Sequence, residues 1–224
     1  MSSPGGRYAF FDLDGTLIND TSLLSWYDFY VRQTGSDTLL DAWVTSREAL
    51  ARMRDQGRPR EEQNVWFYQR HFKGMPVRDA QQAAASWVAF KAKELGFFKQ
   101  PLVARLFQHR WQGTEVVLVT GSFLEVARCV GERLGVAHYL CAQLAVDDGV
   151  YTGELTDSPM IGEGKAFAVA RFLAAEGACA RDCYGYGDDS SDLPFLMLLG
   201  RPNAVSGGCQ RLLQCAADWH WGVC

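Results

Sequence analysis

The sequence predicts an α/β protein: a doubly wound parallel sheet into which an all-helical cap subdomain is inserted. Three observations predict it. Short apolar runs of strand type alternate with helical patterns, which is the signature of a parallel sheet. Several of these runs end in polar or acidic residues. Residues 20–97, between the first strand and the next, read as helix throughout, although a single helix suffices for a βα crossover. The excess helices read as a lid over the carboxyl edge of the sheet. The alternative is a set of core helices covering a sheet face. The expected division is therefore a core of residues 1–19 and 98–224 and a cap of residues 20–97.

The first strand, Ala9-Phe10-Phe11, delivers Asp12-Leu13-Asp14-Gly15-Thr16-Leu17. Ligands of open α/β sheets bind beyond the carboxyl ends of the strands, so both acids stand at such an edge. Residues i and i+2 of a strand share a face, and Gly15 lets the chain turn just past them. Two carboxylates ~4 Å apart at an effective dielectric of ~20 repel by roughly 4 kcal/mol. A cation belongs between them, and an all-oxygen ligand set suits a hard ion such as Mg²⁺. The plain alternative is an Asp-rich turn.

Four helices follow. The first begins near Asn19-Asp20-Thr21-Ser22, with Ser22 as its expected N-cap. It carries Leu23, Leu24, Trp26, Tyr27, Phe29 and Tyr30 and is apolar around most of its surface. The others are expected at Asp37–Arg54, Arg60–Phe72 and Val77–Leu95. Their aromatic residues, Trp43, Trp66, Phe67, Tyr68 and Trp87, read mainly as packing, with one or two lining a pocket. Arg47, Arg52, Arg54, Arg58 and Arg60 read mainly as surface, with one available to a substrate anion.

The βα pattern resumes with a helix at Leu102–Trp111. A strand at Glu115–Val119 delivers Thr120-Gly121-Ser122, and a helix follows from Phe123. A hydroxyl, a glycine and a helix N-terminus make an anion site. A strand at Tyr139–Ala142 precedes a hairpin over residues 144–153, whose Asp148-Gly149 suits a two-residue turn. Gly162-Glu163-Gly164-Lys165 opens the next helix. It fails as a P-loop, because Pro159 stands where glycine is required and Ala166 where Ser or Thr is required. A lysine in a first helical turn is disfavoured by the macrodipole, which points to an anionic partner for Lys165. The strand Cys183–Tyr186 ends in Gly187-Asp188-Asp189-Ser190-Ser191-Asp192, a second acidic cluster, with a helix near Pro194. A strand at Asn203–Val205 and a helix at Gln210–Ala217 follow, and Trp219 and Trp221 cover an edge.

Composition bounds the partners. The chain has 224 residues, 48% hydrophobic and 21% charged, ordinary for a globular domain. A net charge of −4 gives no basic footprint for nucleic acid. No apolar stretch reaches the ~18 residues of a membrane span, and Met1–Arg7 has no apolar segment of a secretory leader. The seven cysteines form no CxxC pair, which argues against zinc and for free thiols in a reducing cytoplasm. The four histidines follow no metal-ligand spacing.

Taken in order, DxDGT, Thr-Gly-Ser, the GEGK lysine and GDDSSDLP resemble the haloacid dehalogenase (HAD) superfamily. The likeness is to subfamily IB phosphohydrolases of the phosphoserine phosphatase type, and the DDGVYTGEL hairpin shares in it. The resemblance implies a Rossmann-like HAD core and an Mg²⁺-dependent phosphomonoesterase of small phosphorylated metabolites, acting as monomer or homodimer. It implies Asp12 as nucleophile, forming an aspartyl phosphate, and Asp14 as general acid and then base. It implies that Gly15, Thr16, Thr120 and Gly121 hold the phosphoryl group, and that Lys165 neutralises phosphate and Asp12. It implies Mg²⁺ on Asp12, the Asp14 carbonyl oxygen and Asp188, with Asp192, Ser122 and Ser191 in support behind them. Phosphoserine phosphatases carry a glutamate shortly after DxD[GS]T for the substrate amine. Thr21 stands there in this sequence, with Asp20 one position away. A small alcohol or amino-alcohol phosphate therefore ranks above phosphoserine, and other phosphatases of this kind, including some acting on histidinol phosphate, also lack the glutamate. A phosphomutase and a catalytically silent phosphate-binding module are the competing readings.

Overall fold

The computed structural model describes residues 7–224, so the expectation that the N-terminal tail carries no leader falls almost wholly outside the described residues. The chain runs β1 (Tyr8–Asp12), then α1 (Ser22–Thr34), α2 (Asp37–Asp55), α3 (Arg60–His71) and α4 (Val77–Lys91). It continues with α5 (Gln100–Trp111), β2 (Glu115–Phe123), α6 (Leu124–Leu134), β3 (His138–Ala142), β4 (Leu144–Asp147) and β5 (Val150–Leu155). It closes with α7 (Glu163–Ala175), β6 (Tyr184–Gly187), α8 (Leu193–Leu196), β7 (Arg201–Ala204), α9 (Gln210–Asp218) and β8 (Gly222–Val223).

Six strands form one parallel sheet in the order β3-β2-β1-β6-β7-β8. All five residues of β1 are buried, as expected of a central strand covered on both faces. Tyr8 and Phe10 enter one hydrophobic cluster with Val169 of α7, Phe195 of α8 and Leu212 of α9. Ala9 and Phe11 enter the other, with Leu106 of α5 and Val126 of α6. Burial of each phenylalanine contributes roughly 1.5–3 kcal/mol. Strand order reverses at β1: β2 and β3 lie to one side, β6 and β7 to the other. That reversal opens a crevice at the carboxyl ends of β1 and β6.

Helices α1–α4 are inserted between β1 and β2. Their apolar faces, with Trp26, Tyr27, Phe67, Tyr68, Phe72 and Trp87, belong to the same cluster as Phe123 and Tyr151 of the sheet and hairpin. The hairpin also grips the insert through its backbone. Gly74 N–H donates to Tyr151 O, Tyr151 N–H to Met75 O and Val77 N–H to Gly149 O. Its turn is the expected one, with Asp148 and Gly149 both at positive φ, 46° and 78°.

Several boundaries differ from the sequence reading. Ser22 is not the N-cap: Thr21 occupies that position without a side-chain bond, and the Ser22 N–H donates to Asp14 Oδ1 at 3.0 Å. A carboxylate from the loop after β1 thus caps the helix. Helix α4 ends at Lys91 rather than Leu95, as the chain turns toward Gly96 at φ 86°. Strand β2 continues through Thr-Gly-Ser to Phe123, with a register irregularity between Thr120 and Phe123. The helix near Pro194 has only four residues. The Trp219–Trp221 segment leads into β8, a two-residue edge strand paired with Asn203 and Ala204. All seven cysteines are free. Among the described residues no helix is long and apolar enough to cross a membrane.

Candidate active site

A cavity of about 750 Å³ opens at the strand-order reversal. Its floor carries Asp12, Asp14, Gly15, Thr120, Gly121, Ser122, Lys165, Asp188, Ser191 and Asp192. Of the residues implicated by sequence, only Thr16 stands off its wall. Thr16 is buried, and its hydroxyl donates to Asp188 Oδ1 at 3.2 Å.

Lys165 ties the floor together. Helix α7 begins two residues before it, and its side chain is 5% exposed. Its ammonium donates to Asp12 Oδ1 at 2.5 Å and to Asp192 Oδ1 at 2.7 Å. These are the anionic partners that its place in a first turn pointed to. Burial alone would lower its pKa, but the Asp12 and Asp192 carboxylates override that and raise it, so the cation is permanent. The second Asp192 oxygen accepts from the N–H groups of Asp188 and Asp189 at 3.1 and 3.2 Å. With both oxygens engaged by protein, Asp192 fixes Lys165 and the loop after β6.

Carboxylate oxygens of Asp12, Asp188 and Asp192 lie within 4.8 Å of one another. Burial raises the Asp12 carboxyl, against the lowering pull of Lys165. Burial and the charge of Asp192 raise that of Asp188. One lysine does not neutralise three acids, and oxygen-only donors suit a hard divalent cation. The residues therefore fit a metal site. Gly15 makes the close approach feasible. At φ 76° it lies in the left-handed region, and a Cβ there would run into the Asp188 carboxylate. Lys99 donates to the Gly15 carbonyl and fixes the turn.

Asp14 faces the cavity apart from these acids. Burial pushes its carboxyl up to about 6, against the hydrogen bonds from Ser22. Asp20 has partners on both oxygens. Its oxygens accept from Thr21 N–H and the Ser25 hydroxyl, both at 2.8 Å, and Lys91 lies at 3.1 Å.

The roof comes from the insert. Leu23 and Leu24 of α1, Leu50 and Arg54 of α2, and Arg60, Gln63, Asn64 and Phe67 of α3 face the floor. Arg60 bonds Asp189 Oδ1 at 2.7 Å. Against the upward push of burial, the Ser191 N–H and Arg60 hold the Asp189 carboxyl below its ordinary range. Tyr68 Oη and Asn64 Nδ2 both donate to the Gly121 carbonyl, at 2.9 and 3.3 Å. The sequence held only a weak signal for these contacts: a polar residue and a tyrosine four apart on an otherwise apolar face.

Residues 9–197 match the haloacid dehalogenase-like hydrolase family. The chain belongs to this family. A histidinol-phosphatase of Neisseria meningitidis serogroup C is 27% identical over 217 residues, covering 88% of this chain and 89% of that one. Curated relatives from Mycobacterium tuberculosis and Streptomyces azureus are longer, and the chain spans only 34–36% of their length. Two solved structures share the fold. A Bordetella pertussis Tohama I protein of unknown function superposes with a TM-score of 0.84 at 24% identity, over 97% of this chain and 98% of that one. A substrate-bound phosphoserine phosphatase superposes with a TM-score of 0.67 at 16% identity, over 95% and 91%. The phosphoserine-phosphatase-like HAD fold read from the motifs is the fold found.

Proposed function

We propose that the chain is an Mg²⁺-dependent phosphomonoesterase that hydrolyses a small phosphorylated metabolite through an aspartyl phosphate. The Lys165 ammonium, bridging Asp12 at the end of β1 and Asp192 beyond β6, carries this reading. It pairs with the nucleophile and places a positive charge where a dianionic phosphoryl group would sit.

The Asp12 carboxylate attacks phosphorus, and the ester P–O bond breaks. Asp14 gives its proton to the departing alkoxide. Its pKa, raised to about 6 by burial, brings it toward the range that proton transfer near neutrality requires. Asp14 then takes a proton from water, which attacks the same phosphorus, releasing phosphate and restoring Asp12. Splitting one hard displacement into two is the advantage of a carboxylate nucleophile. Thr120 and the Gly121 N–H hold the phosphoryl oxygens, with the Gly15 turn beside them. Thr16 serves by holding Asp188. Asp12, Asp188 and the Asp14 carbonyl oxygen would hold Mg²⁺, which when bound would supply charge neutralisation for phosphoryl transfer. Asp192 orients Lys165, and Ser122 and Ser191 support the two loops.

Residues 20–97 act in this reading as a cap over a core of 1–19 and 98–224. A small alcohol or amino-alcohol phosphate is the favoured substrate. Both Asp20 oxygens already have partners in Thr21, Ser25 and Lys91, and no glutamate stands beside Asp20 in the sequence, which ranks phosphoserine lower. The name of the Neisseria relative makes histidinol phosphate a leading member of the test panel. Seven free thiols support a cytoplasmic setting, and a net charge of −4 supports a partner that is neither nucleic acid nor anionic membrane. A panel of phosphorylated metabolites and an aryl phosphate, assayed for free phosphate with Mg²⁺ and with chelator, tests the proposal. Chelator-sensitive release supports it. Isomerisation without release points to a phosphomutase, and binding without turnover to a silent module.

A further inference from the structure

The register irregularity in β2 leaves Gly121 and Ser122 outside the ladder to β3, since Thr120 pairs with Cys141 and Phe123 with Ala142. A half-buried backbone carbonyl without a ladder partner takes donors from elsewhere. The Gly121 carbonyl finds two on α3, Tyr68 Oη at 2.9 Å and Asn64 Nδ2 at 3.3 Å. The peptide unit is planar, so fixing this oxygen fixes the N–H on its other side, that of Ser122. That N–H donates to Thr120 Oγ1 at 3.1 Å. Thr120 is 1% exposed and lines the cavity. Having accepted from the backbone, its hydroxyl keeps its own proton as a donor into the cavity. Tyr68 is fully buried, and burial holds its phenol well above the ordinary range, so it remains a donor at any working pH.

We propose that Tyr68 and Asn64 are positioning residues for the phosphate site, acting through the Gly121–Ser122 peptide plane on the Thr120 hydroxyl. The proposal rests on the phosphate-site reading of Thr120. Helix α3 thereby completes the floor as well as roofing it.

A double-mutant cycle tests this, read as the affinity for orthophosphate by calorimetry in the presence of Mg²⁺, so that it is scored whether or not any ester turns over. Y68F and N64A should each weaken phosphate binding by roughly 3- to 10-fold, the scale of one hydrogen bond. In a T120V background the same changes should cost less than about twofold, because the hydroxyl they orient is gone. A purely structural role would give the same loss in both backgrounds, and that additivity would overturn the proposal, as would unaltered binding in Y68F and N64A. Thermal melts check folding, and N64A, at a less buried site than Tyr68, keeps the cycle open should Y68F not fold. Phosphate binding without turnover in the unmodified chain would defeat the proposed function and leave the relay standing. Absence of phosphate binding would defeat both.

Discussion

The floor of the cavity and its roof are built differently. The floor is built from strand ends and the first turn of α7, and its charged groups cluster: Asp12, Lys165, Asp188 and Asp192. The roof is three helices whose inward faces mix leucine, phenylalanine, amides and two arginines. In the proposed function the floor sets what reaction is possible, and the roof sets which ester is admitted. They are not independent, because α3 donates to Gly121 and pairs with Asp189, and one hydrophobic cluster runs through both.

The comparison breaks most sharply at the floor. Asp12→Asn should lower kcat by roughly 10⁴-fold or more, the scale seen when a covalent nucleophile is removed, with an unchanged circular dichroism spectrum. Removing divalent cation, or replacing Asp188 with Asn, should lower turnover at least about 100-fold, as loss of several kcal/mol of charge stabilisation would. Re-addition of Mg²⁺ should restore the first and not the second. If chelation leaves turnover intact, the acid cluster is not a metal site.

Stability against pH asks whether floor and roof unfold as one. His109 under the sheet bonds the Tyr186 hydroxyl at 2.7 Å, and His71 in α3 packs against Tyr27 and Phe67. Burial lowers the pKa of each to about 4. The unfolded chain takes up these protons near 6.5, so stability is lost as pH falls from about 6.5 toward 4. At pH 5 the loss is about 2 kcal/mol for each histidine. Urea unfolding should show a single transition whose pH dependence flattens by a similar amount in H71Q and in H109Q. Two transitions, each sensitive to one histidine, would make the roof a separate folding unit.

The smallest effect is expected at the rim. Arg60→Gln removes an ion pair of half-exposed groups worth about 0.2–1 kcal/mol. It should raise KM a few-fold at most, and the effect should shrink with added salt. A large loss of kcat would move Arg60 from the roof to the chemistry.

The floor was legible because each of its parts is local in sequence. DxDGT and GDDSSD each follow a run of strand type, and Lys165 stands in a helical first turn where a cation needs an anionic partner. The helices of the roof were legible too, but their polar contacts were not, because these join residues whose types do not announce them. Tyr68 reaches Gly121 across 53 residues and Arg60 reaches Asp189 across 129, and in sequence both look like packing or surface. The misplaced cap at Ser22 has the same cause, since the capping carboxylate comes from Asp14, outside the helix. Strand β8 was missed because two residues carry no periodicity and pair only once β7 is in place. The continuation of β2 through Thr-Gly-Ser was hidden by a glycine that ordinarily ends a strand.

The central claim is that phosphorus becomes bonded to Asp12. Rapid quenching of the enzyme during turnover of a good substrate, with mass analysis of its peptides, tests it directly. A phosphoryl adduct should appear on the peptide containing Asp12 and disappear as substrate is exhausted. Sustained phosphate release with no adduct there, or with an adduct on another residue, would contradict it.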